Sequence, residues 1–422
     1  MPHCAPTVPI IPATVPRIEY MRIKNYRALR DLHIKDMTPL TVFLGPNGSG
    51  KSTIIDLFLF LSECFTTGLR KAWDARGRFR ELRTRGENGP ITIEIRYREH
   101  RDAPLITYHI AIDENKKGPY IAEEWLQWRR GRSGKPWKFL DFNEGSGRVI
   151  PGEMPEEGDA GTLETLDSAE RLAASTLGQL AKHPRIGALR QFITDWHLAY
   201  MNADSARGIP DAGAQERLSP EGDNLPNVIQ YLKEHHPERL DRIMQALSAR
   251  VPCVQEVNTE LLTDGRLLLQ IKDAPFDRPI PAKFASRGTL KLLQYLTLLY
   301  DPDPPHLIGI EEPENDLHPR LLAGLAEEFR DASSRSQIIV TTHSPFFING
   351  LRPSELWVLY RDEEGFTQAQ CAVHMQGIPA FIESGALLGH LWSEGYFEVG
   401  NPLTDAGGSK IAKTTPSSPV QG

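Results

Sequence analysis

Cysteine is nearly absent from this chain. There are four in 422 residues, Cys4, Cys64, Cys253 and Cys371, and no two form a CxxC pair. That excludes a disulfide framework and a zinc ribbon, and it reads as free thiols in a reducing, cytoplasmic compartment. No apolar run is long enough to cross a bilayer, so no membrane is expected as a partner. The first sixteen residues have no basic segment and carry Pro2, Pro6, Pro9, Pro12 and Pro16, which is not the pattern of a signal peptide. An excess of positive charge is missing too: 48 Lys and Arg stand against 55 Asp and Glu, a formal net charge of −7. Global charge therefore gives no reason to expect nucleic acid, and only local patches could do so. Internal repeats and sustained heptads are also missing, which argues against a solenoid or a long coiled coil.

What is present is the composition of a globular protein, 40% hydrophobic and 24% charged. Residues 17–45 alternate apolar and polar and read as three short strands. STIIDLFLFLSECF reads as an apolar helix. Period-two alternation in ITIEIRYRE (91–99), LITYHIAIDEN (105–115), YIAEEWLQW and KFLDF predicts an antiparallel meander. An acidic linker follows at 151–161. Helical spacing then dominates to about 249, in AERLAASTLGQL, IGALRQFITDWHLAY and NLPNVIQYLKEHHPERLDRIMQAL. CVQEVNTELL and GRLLLQIKD read as a hairpin. The last third alternates helix and apolar strand (HLIGI, QIIVTTH), as a parallel sheet requires. FIESGALLGHLWSEGYFE reads as a closing helix.

The expected class is α/β, with a mixed-sheet core, an antiparallel β lobe and a helical insertion. The expected segments are an irregular extension (1–16), the first part of the core with the β lobe (17–150), the helical insertion (151–250), the second part of the core (251–400) and a disordered, small and polar tail (401–422).

GPNGSGKST fits G-x-x-x-x-G-K-[ST], between an apolar strand and an apolar helix. Its residues Gly45, Pro46, Asn47, Gly48, Ser49, Gly50, Lys51, Ser52 and Thr53 are the candidate phosphate cradle. In that pattern Lys51 gives a point charge to the β- and γ-phosphates of ATP, and Ser52 a hydroxyl to Mg²⁺. HLIGIEEPENDLHP ends an apolar strand in two carboxylates. Glu311 is the candidate metal holder and Glu312 the candidate general base, against the plainer reading of an acidic turn. VTTHSP ends the next strand with His343, the candidate γ-phosphate sensor; a lone His there is otherwise an ordinary loop residue. FASRGTLKLLQ poses a separate question: Ser286 and Gly288 open a second helix with bare N–H groups, far from the phosphate loop. Ser is also a favoured N-cap.

IKNYRAL, the Asn-containing phosphate loop, the Ser-x-Gly helix start, EEPENDLHP and TTHSP, in this order, resemble the ABC-class ATPases of the SMC and RecF type. Within that group the chain looks like the compact bacterial ATPases found beside nuclease or defence partners. The resemblance covers the N-terminal third and residues from about 280 to 395. It implies an ABC-type nucleotide-binding core, ATP hydrolysis with Mg²⁺, and a head-to-tail dimer. Ser286 and Gly288 of one chain would then cap the γ-phosphate held by the other, and Asp316 would cross the interface. Two departures stand out. Glu311 replaces the commoner aspartate, and Arg287 replaces a small residue of the signature. Arg287 is left with two readings, charge for the γ-phosphate or a side chain turned to solvent. For a glutamine loop the candidates are Gln127, Gln179 and Gln191.

Two basic runs remain. Arg70, Lys71, Arg76, Arg78, Arg80, Arg83 and Arg85 form one; Arg129, Arg130, Arg132, Lys135 and Lys138, beside Trp128 and Trp137, form the other. Arginine interleaved with aromatics suits DNA or RNA. A protein partner or a merely solvated face is the competitor. The expected function is an ATP-switched sensor or clamp in anti-phage defence with a separate nuclease or other effector. A RecF-like repair ATPase and a transporter's nucleotide-binding subunit are the alternatives.

Overall fold

In the computed structural model, residues 15–129, 136–152 and 161–400 are described. The expected disordered tail, residues 1–14 of the N-terminal extension and most of the acidic linker lie outside them. The described chain contains seventeen strands and twelve helices. The strands are β1 Arg17–Tyr26, β2 Leu29–Lys35, β3 Leu40–Leu44, β4 Ile91–Arg98, β5 Ile106–Asn115, β6 Gly118–Arg129, β7 Pro136–Asn143, β8 Ser146–Val149, β9 Thr162–Thr165, β10 His197–Ala199, β11 Val254–Leu261, β12 Leu267–Asp273, β13 Ile280–Pro281, β14 Leu307–Glu311, β15 Gln337–Thr342, β16 Leu356–Arg361 and β17 Thr367–Cys371. The helices are α1 Lys51–Thr66, α2 Leu69–Asp74, α3 Arg78–Leu82, α4 Ala173–Leu177, α5 Pro184–Thr194, α6 Leu225–His235, α7 Pro237–Arg250, α8 Arg287–Leu299, α9 Pro319–Ala332, α10 Pro345–Ile348, α11 Ile378–Glu383 and α12 Leu388–Ser393.

Two large sheets carry the molecule. One is antiparallel, in the order β2-β1-β4-β5-β6-β7-β8-β9. Its meander follows from alternation: in β4, Ile91, Ile93, Ile95 and Tyr97 are buried, while Thr92, Glu94, Arg96 and Arg98 face outward. The other runs β10-β14-β15-β3-β16-β17 and is parallel except for β17. Its strands β3, LTVFL, and β15, QIIVTT, are buried at every residue, as strands covered on both faces must be. Helix α1 buries Ile54, Ile55, Leu57, Phe58, Phe60, Leu61, Cys64 and Phe65 and helps hold a core shared with the antiparallel sheet. A second core gathers around α8, α6, α7 and α9. A small sheet, β11-β12-β13, contains the expected hairpin.

The register of the parallel sheet matters most. Glu311 pairs with Thr341, Thr341 with Phe43, and Thr342 with Leu44. The C-terminal ends of β14, β15 and β3 therefore stop in step on one edge, β15 lying between the other two.

Three readings need correction. The stretch IGALRQFITDWHLAY is not one helix: α5 stops at Thr194, and His197–Ala199 pair with Ile308–Ile310 as an edge strand. Three residues are too few to show a period, so the neighbouring strand decides their conformation. Within 163–249, β9 is likewise a strand, added to the antiparallel edge. The closing segment is two short helices, α11 and α12, broken at Gly385, whose φ is +94°. The antiparallel hairpin β16–β17 extends the parallel sheet beyond the expected strands.

Candidate functional site

The phosphate loop leaves β3 and turns directly into α1. Gly50 has φ +107°, and a Cβ there would lie 2.5 Å from Thr367 Oγ1. At Gly45 a Cβ would lie 2.5 Å from the Leu359 carbonyl. The loop is thus threaded against β16 and β17 with no room for a side chain at Gly45 or Gly50. Thr367 Oγ1 donates to the Ser49 carbonyl (2.9 Å), and Arg361 Nε donates to the Gly48 carbonyl (2.6 Å). Lys51 is buried, and its Nζ donates to the carbonyls of Gly45 (2.8 Å) and Pro46 (3.1 Å). Burial pulls its ammonium below the ordinary lysine range, against the pull of Glu312, Glu314 and Glu311.

Glu311 closes β14, with Oε1 buried and unpaired among the described residues. Glu312 follows with φ +42°, a left-handed conformation rare for glutamate, held by its N–H donating to the Thr341 carbonyl (2.8 Å). Its Oε1 is 3.5 Å from His343 Nδ1. Thus Lys51, Glu311, Glu312 and His343, separated by up to about 290 residues of sequence, come to one edge of the sheet. Ser52, Glu311, Glu312 and Asp316 line a cleft of about 430 Å³.

The sequence reading missed several residues here. Glu314 is nearly buried; its Oε1 accepts from Thr342 Oγ1 (2.8 Å) and the His343 N–H (2.8 Å) and lies 3.2 Å from His343 Nδ1. Tyr200, Met201 and Asn202, which follow β10, form another wall of the cleft with Lys291. The three candidate glutamines do not line it. Gln127 lies on the outer face of the antiparallel sheet, and the Gln179 amide donates to Ser175. On the other side of the phosphate loop, Arg27, Arg80, Arg83, Arg85 and Arg361 line a basic hollow of about 670 Å³.

The second helix start is arranged differently. Ser286 is the exposed N-cap residue of α8, yet its hydroxyl makes no capping bond. A Cβ on Gly288 would lie 2.8 Å from the Asp316 carbonyl, so this helix start packs on the loop after Glu312. The half-exposed Arg287 side chain pairs with Asp316 and Asp204 of its own chain, both at 3.2 Å. Ser286 and Gly288 do not line the cleft shared by Ser52 and Glu311.

Of the first basic run, Arg76 is nearly buried between Asp56 and Glu63, Arg70 pairs with Glu170, and Arg78 pairs with Asp74. Those three are structural or locally neutralised. Only Arg80, Arg83 and Arg85 line the basic hollow. Of the second run, Arg130, Arg132 and Lys135 lie outside the described residues, as does the side chain of Arg129, while Lys138 pairs with Asp141 (2.9 Å).

A family model described as "AAA domain, putative AbiEii toxin, Type IV TA system" matches residues 40–349. The chain belongs to this AAA family. Solved structures agree on the fold. The SmcHead bound to the C-winged helix domain of ScpA superposes with a TM-score of 0.52 at 14% identity, over 84% of this chain and 96% of that one. The Smc head domain with an extended coiled coil from Pyrococcus furiosus, bound to the C-terminal domain of ScpA, gives 0.52 at 13% identity, over 87% and 100%. This AAA-family chain therefore has the α/β fold of an SMC-type, ABC-class head, as its motifs implied. No curated protein matches it. Among the described residues no helix is long and apolar enough to cross a membrane.

Proposed function

We propose that the chain is a Mg²⁺-dependent ATPase whose ATP-bound state is a two-fold dimer, serving as a nucleic-acid-linked sensor or clamp in anti-phage defence with a separate effector. One observation carries the catalytic part: Lys51, Glu311, Glu312 and His343 converge from β3, β14 and the end of β15, three strands that finish in step.

The residues fit a nucleotide and its metal. The glycine-lined cradle admits no side chain at Gly45 or Gly50, and the Glu311 carboxylate has a buried, unpaired oxygen. Lys51 and the loop N–H groups would hold phosphate; Ser52 and Glu311 would hold Mg²⁺. Bound Mg²⁺ supplies charge neutralisation on the phosphates. Glu312 Oε takes the proton of the attacking water. His343, with Nδ1 between two carboxylates, presents Nε2 as the ring nitrogen left for the γ-phosphate. Ser286, Gly288 and Asp316 would act across the two-fold axis, which the free Ser286 hydroxyl supports. The putative toxin in the family's description favours defence over repair. The ScpA-bound heads are a precedent for a separate protein partner.

The test is the solution mass of Glu312→Gln by light scattering, with and without ATP and Mg²⁺. The expected result is an ATP-dependent rise to a dimer, or a multiple of one, and loss of turnover. Wild-type turnover in this variant would remove Glu312 as the base. A mass unchanged by ATP would remove the dimer.

A further inference from the structure

We propose that Phe284 is an apolar anchor of the two-fold interface, its ring buried against a second copy of this chain when the start of α8 closes over that copy's phosphate loop. This inference rests on the ATP-dependent dimer of the reading above. It adds the residue that holds the two faces together.

The segment that leads into α8 reads PFDRPIPAKFASRG, and its apolar residues do not all turn inward. Ala282 and Ala285 are buried, while Lys283, Phe284, Ser286 and Arg287 are exposed. The backbone is fixed at the buried points. The Ala285 N–H donates to the Ala282 carbonyl (3.0 Å), and Arg207 Nη2 donates to the Ala285 carbonyl (3.0 Å). Phe284 is therefore displayed from a pinned backbone, and it is 73% exposed. A lone exposed apolar residue needs no explanation. Phe284 is not alone: Phe276 and Ile280 are exposed as well, so three large apolar side chains lie open within nine residues. The charged neighbour Lys283 does not cover the ring, its Nζ standing 6.0 Å from the centroid.

The place of Phe284 decides what covers it. Ala285 is extended, so the Cα atoms of Phe284 and Ser286 lie within about 7 Å of each other. Ser286 has a hydroxyl that makes no capping bond. Neither residue lines the cleft of its own chain. Whatever meets the Ser286 hydroxyl must also cover Phe284. Charge points to a second copy. Lys283 has no ion-pair partner among the described residues, and the bare N–H groups at the start of α8 carry partial positive charge. The phosphate-loop edge is the opposite, with Glu311 and Glu312 on the cleft and a nucleotide on the loop. Every copy carries one face of each kind, and a two-fold rotation satisfies both at once. Polar contacts of this sort hold two chains together where an aromatic anchor excludes water beside them. Next to Ser286, Phe284 is the large apolar side chain able to do so.

The test uses the full chain in the Glu312→Gln background, with ATP and Mg²⁺, by sedimentation equilibrium over a range of protein concentrations. Adding Phe284→Asp should raise the dimer dissociation constant at least about thirtyfold, the effect of losing one interface anchor, and each dimer loses two. Adding Phe284→Leu keeps an apolar side chain and should stay within about fivefold of Glu312→Gln. Leu163→Asp, on β9 and also 73% exposed, should leave dimer formation unchanged. Binding of a fluorescent ATP analogue at nanomolar protein should match in all four, with thermal unfolding as the control for folding. If Glu312→Gln itself stays monomeric with ATP, the dimer reading falls and this assignment with it. If Glu312→Gln dimerises and Phe284→Asp shifts its constant less than about threefold, the dimer stands and Phe284 is not its anchor. The assignment also falls if Leu163→Asp is as damaging as Phe284→Asp, or if Phe284→Leu is.

Discussion

Glu314 offers the sharpest check on how the proposed catalytic edge is built. Its side chain is 7% exposed, and the carboxylate ties down the turn that follows β15. Oε1 accepts from the Thr342 hydroxyl and from the His343 N–H, each at 2.8 Å. Thr342 Oγ1 in turn accepts from the Ser344 N–H at 3.0 Å, so one carboxylate organises three consecutive residues. His343 Nδ1 is 3.2 Å away, nearer than to Glu312. Replacing Glu314 by Ala removes the acceptor and leaves two donors pointing at nothing. A charge-assisted hydrogen bond is worth about 1.5–3 kcal/mol, which corresponds to a fall in kcat of roughly 10–100-fold if His343 loses its position. KM for ATP should move by less than about threefold, because Lys51 and the loop are untouched. Glu314→Gln keeps a neutral acceptor and should fall between the two. The assay is steady-state phosphate release, with thermal unfolding as the control for folding. The reasoning fails if the Ala variant folds normally and keeps kcat within about twofold of wild type. It fails equally if the whole loss appears in KM, since that would make Glu314 a binding residue.

Three other perturbations follow from the geometry. Gly50→Ala puts a Cβ 2.5 Å from Thr367 Oγ1 at a φ of +107°, so it should abolish ATP binding by calorimetry, and affinity within about threefold of wild type would count against the cradle. Glu124 is fully buried and accepts from Tyr108 Oη, Ala173 N and Ala174 N; Glu124→Ala should cost about 3–5 kcal/mol in denaturant unfolding, and a loss below about 1 kcal/mol would refute that. Burial opposes ionisation of Asp195, but hydrogen bonds from His306 and Arg217 overcome it and hold the carboxyl at about 2. A depressed carboxyl stabilises the fold above its unfolded pKa near 4 and loses that contribution as pH falls toward 2. Denaturant midpoints should therefore drop between pH 5 and pH 3 more steeply in the wild type than in Asp195→Asn, and parallel drops would refute the assignment.

The elements that could be read in advance were those with enough residues to show a period. The alternation of ITIEIRYR declares β4, and the unbroken apolar run of LTVFL, ending in a glycine loop, declares β3. The candidate site was legible for the same reason: Glu311 closes such a strand, Glu312 and His343 follow one directly, and Lys51 stands at the end of the loop that leaves β3. What was hidden depended on contacts remote in sequence. His197–Ala199 are a strand only because Ile308–Ile310 lie beside them, and this brings Tyr200–Asn202 to the cleft instead of any glutamine. Glu314 looks like one more acid in an acidic turn until β15 brings Thr342 and His343 against it. Among the basic residues, spacing could not separate Arg76, locked to Asp56 and Glu63, from Arg85, which lines an open hollow.

Arg287 shows what the departure from a small signature residue can accomplish. Its guanidinium bridges Asp204, in the segment after β10, and Asp316, in the loop after Glu312. Three further links join α8 and its entry to that segment: Lys291 Nζ donates to the Met201 carbonyl, Gln294 Nε2 to the Asn202 carbonyl (3.2 Å), and Arg207 Nη2 to the Ala285 carbonyl (3.0 Å). Residues 201 and 202 also line the cleft with Glu311. The start of α8 is therefore fastened to the wall of its own chain's cleft, which ties the position of Ser286 to that wall. A small residue at 287 would leave the packing of Gly288 on Asp316 but remove the bridge. Exposed ion pairs contribute little to stability, typically below about 1 kcal/mol each, so the bridge does little to hold the fold together. What it does fix is the relative position of two loops, one on each side of the cleft edge, which is the geometry a shared nucleotide between two chains would have to read.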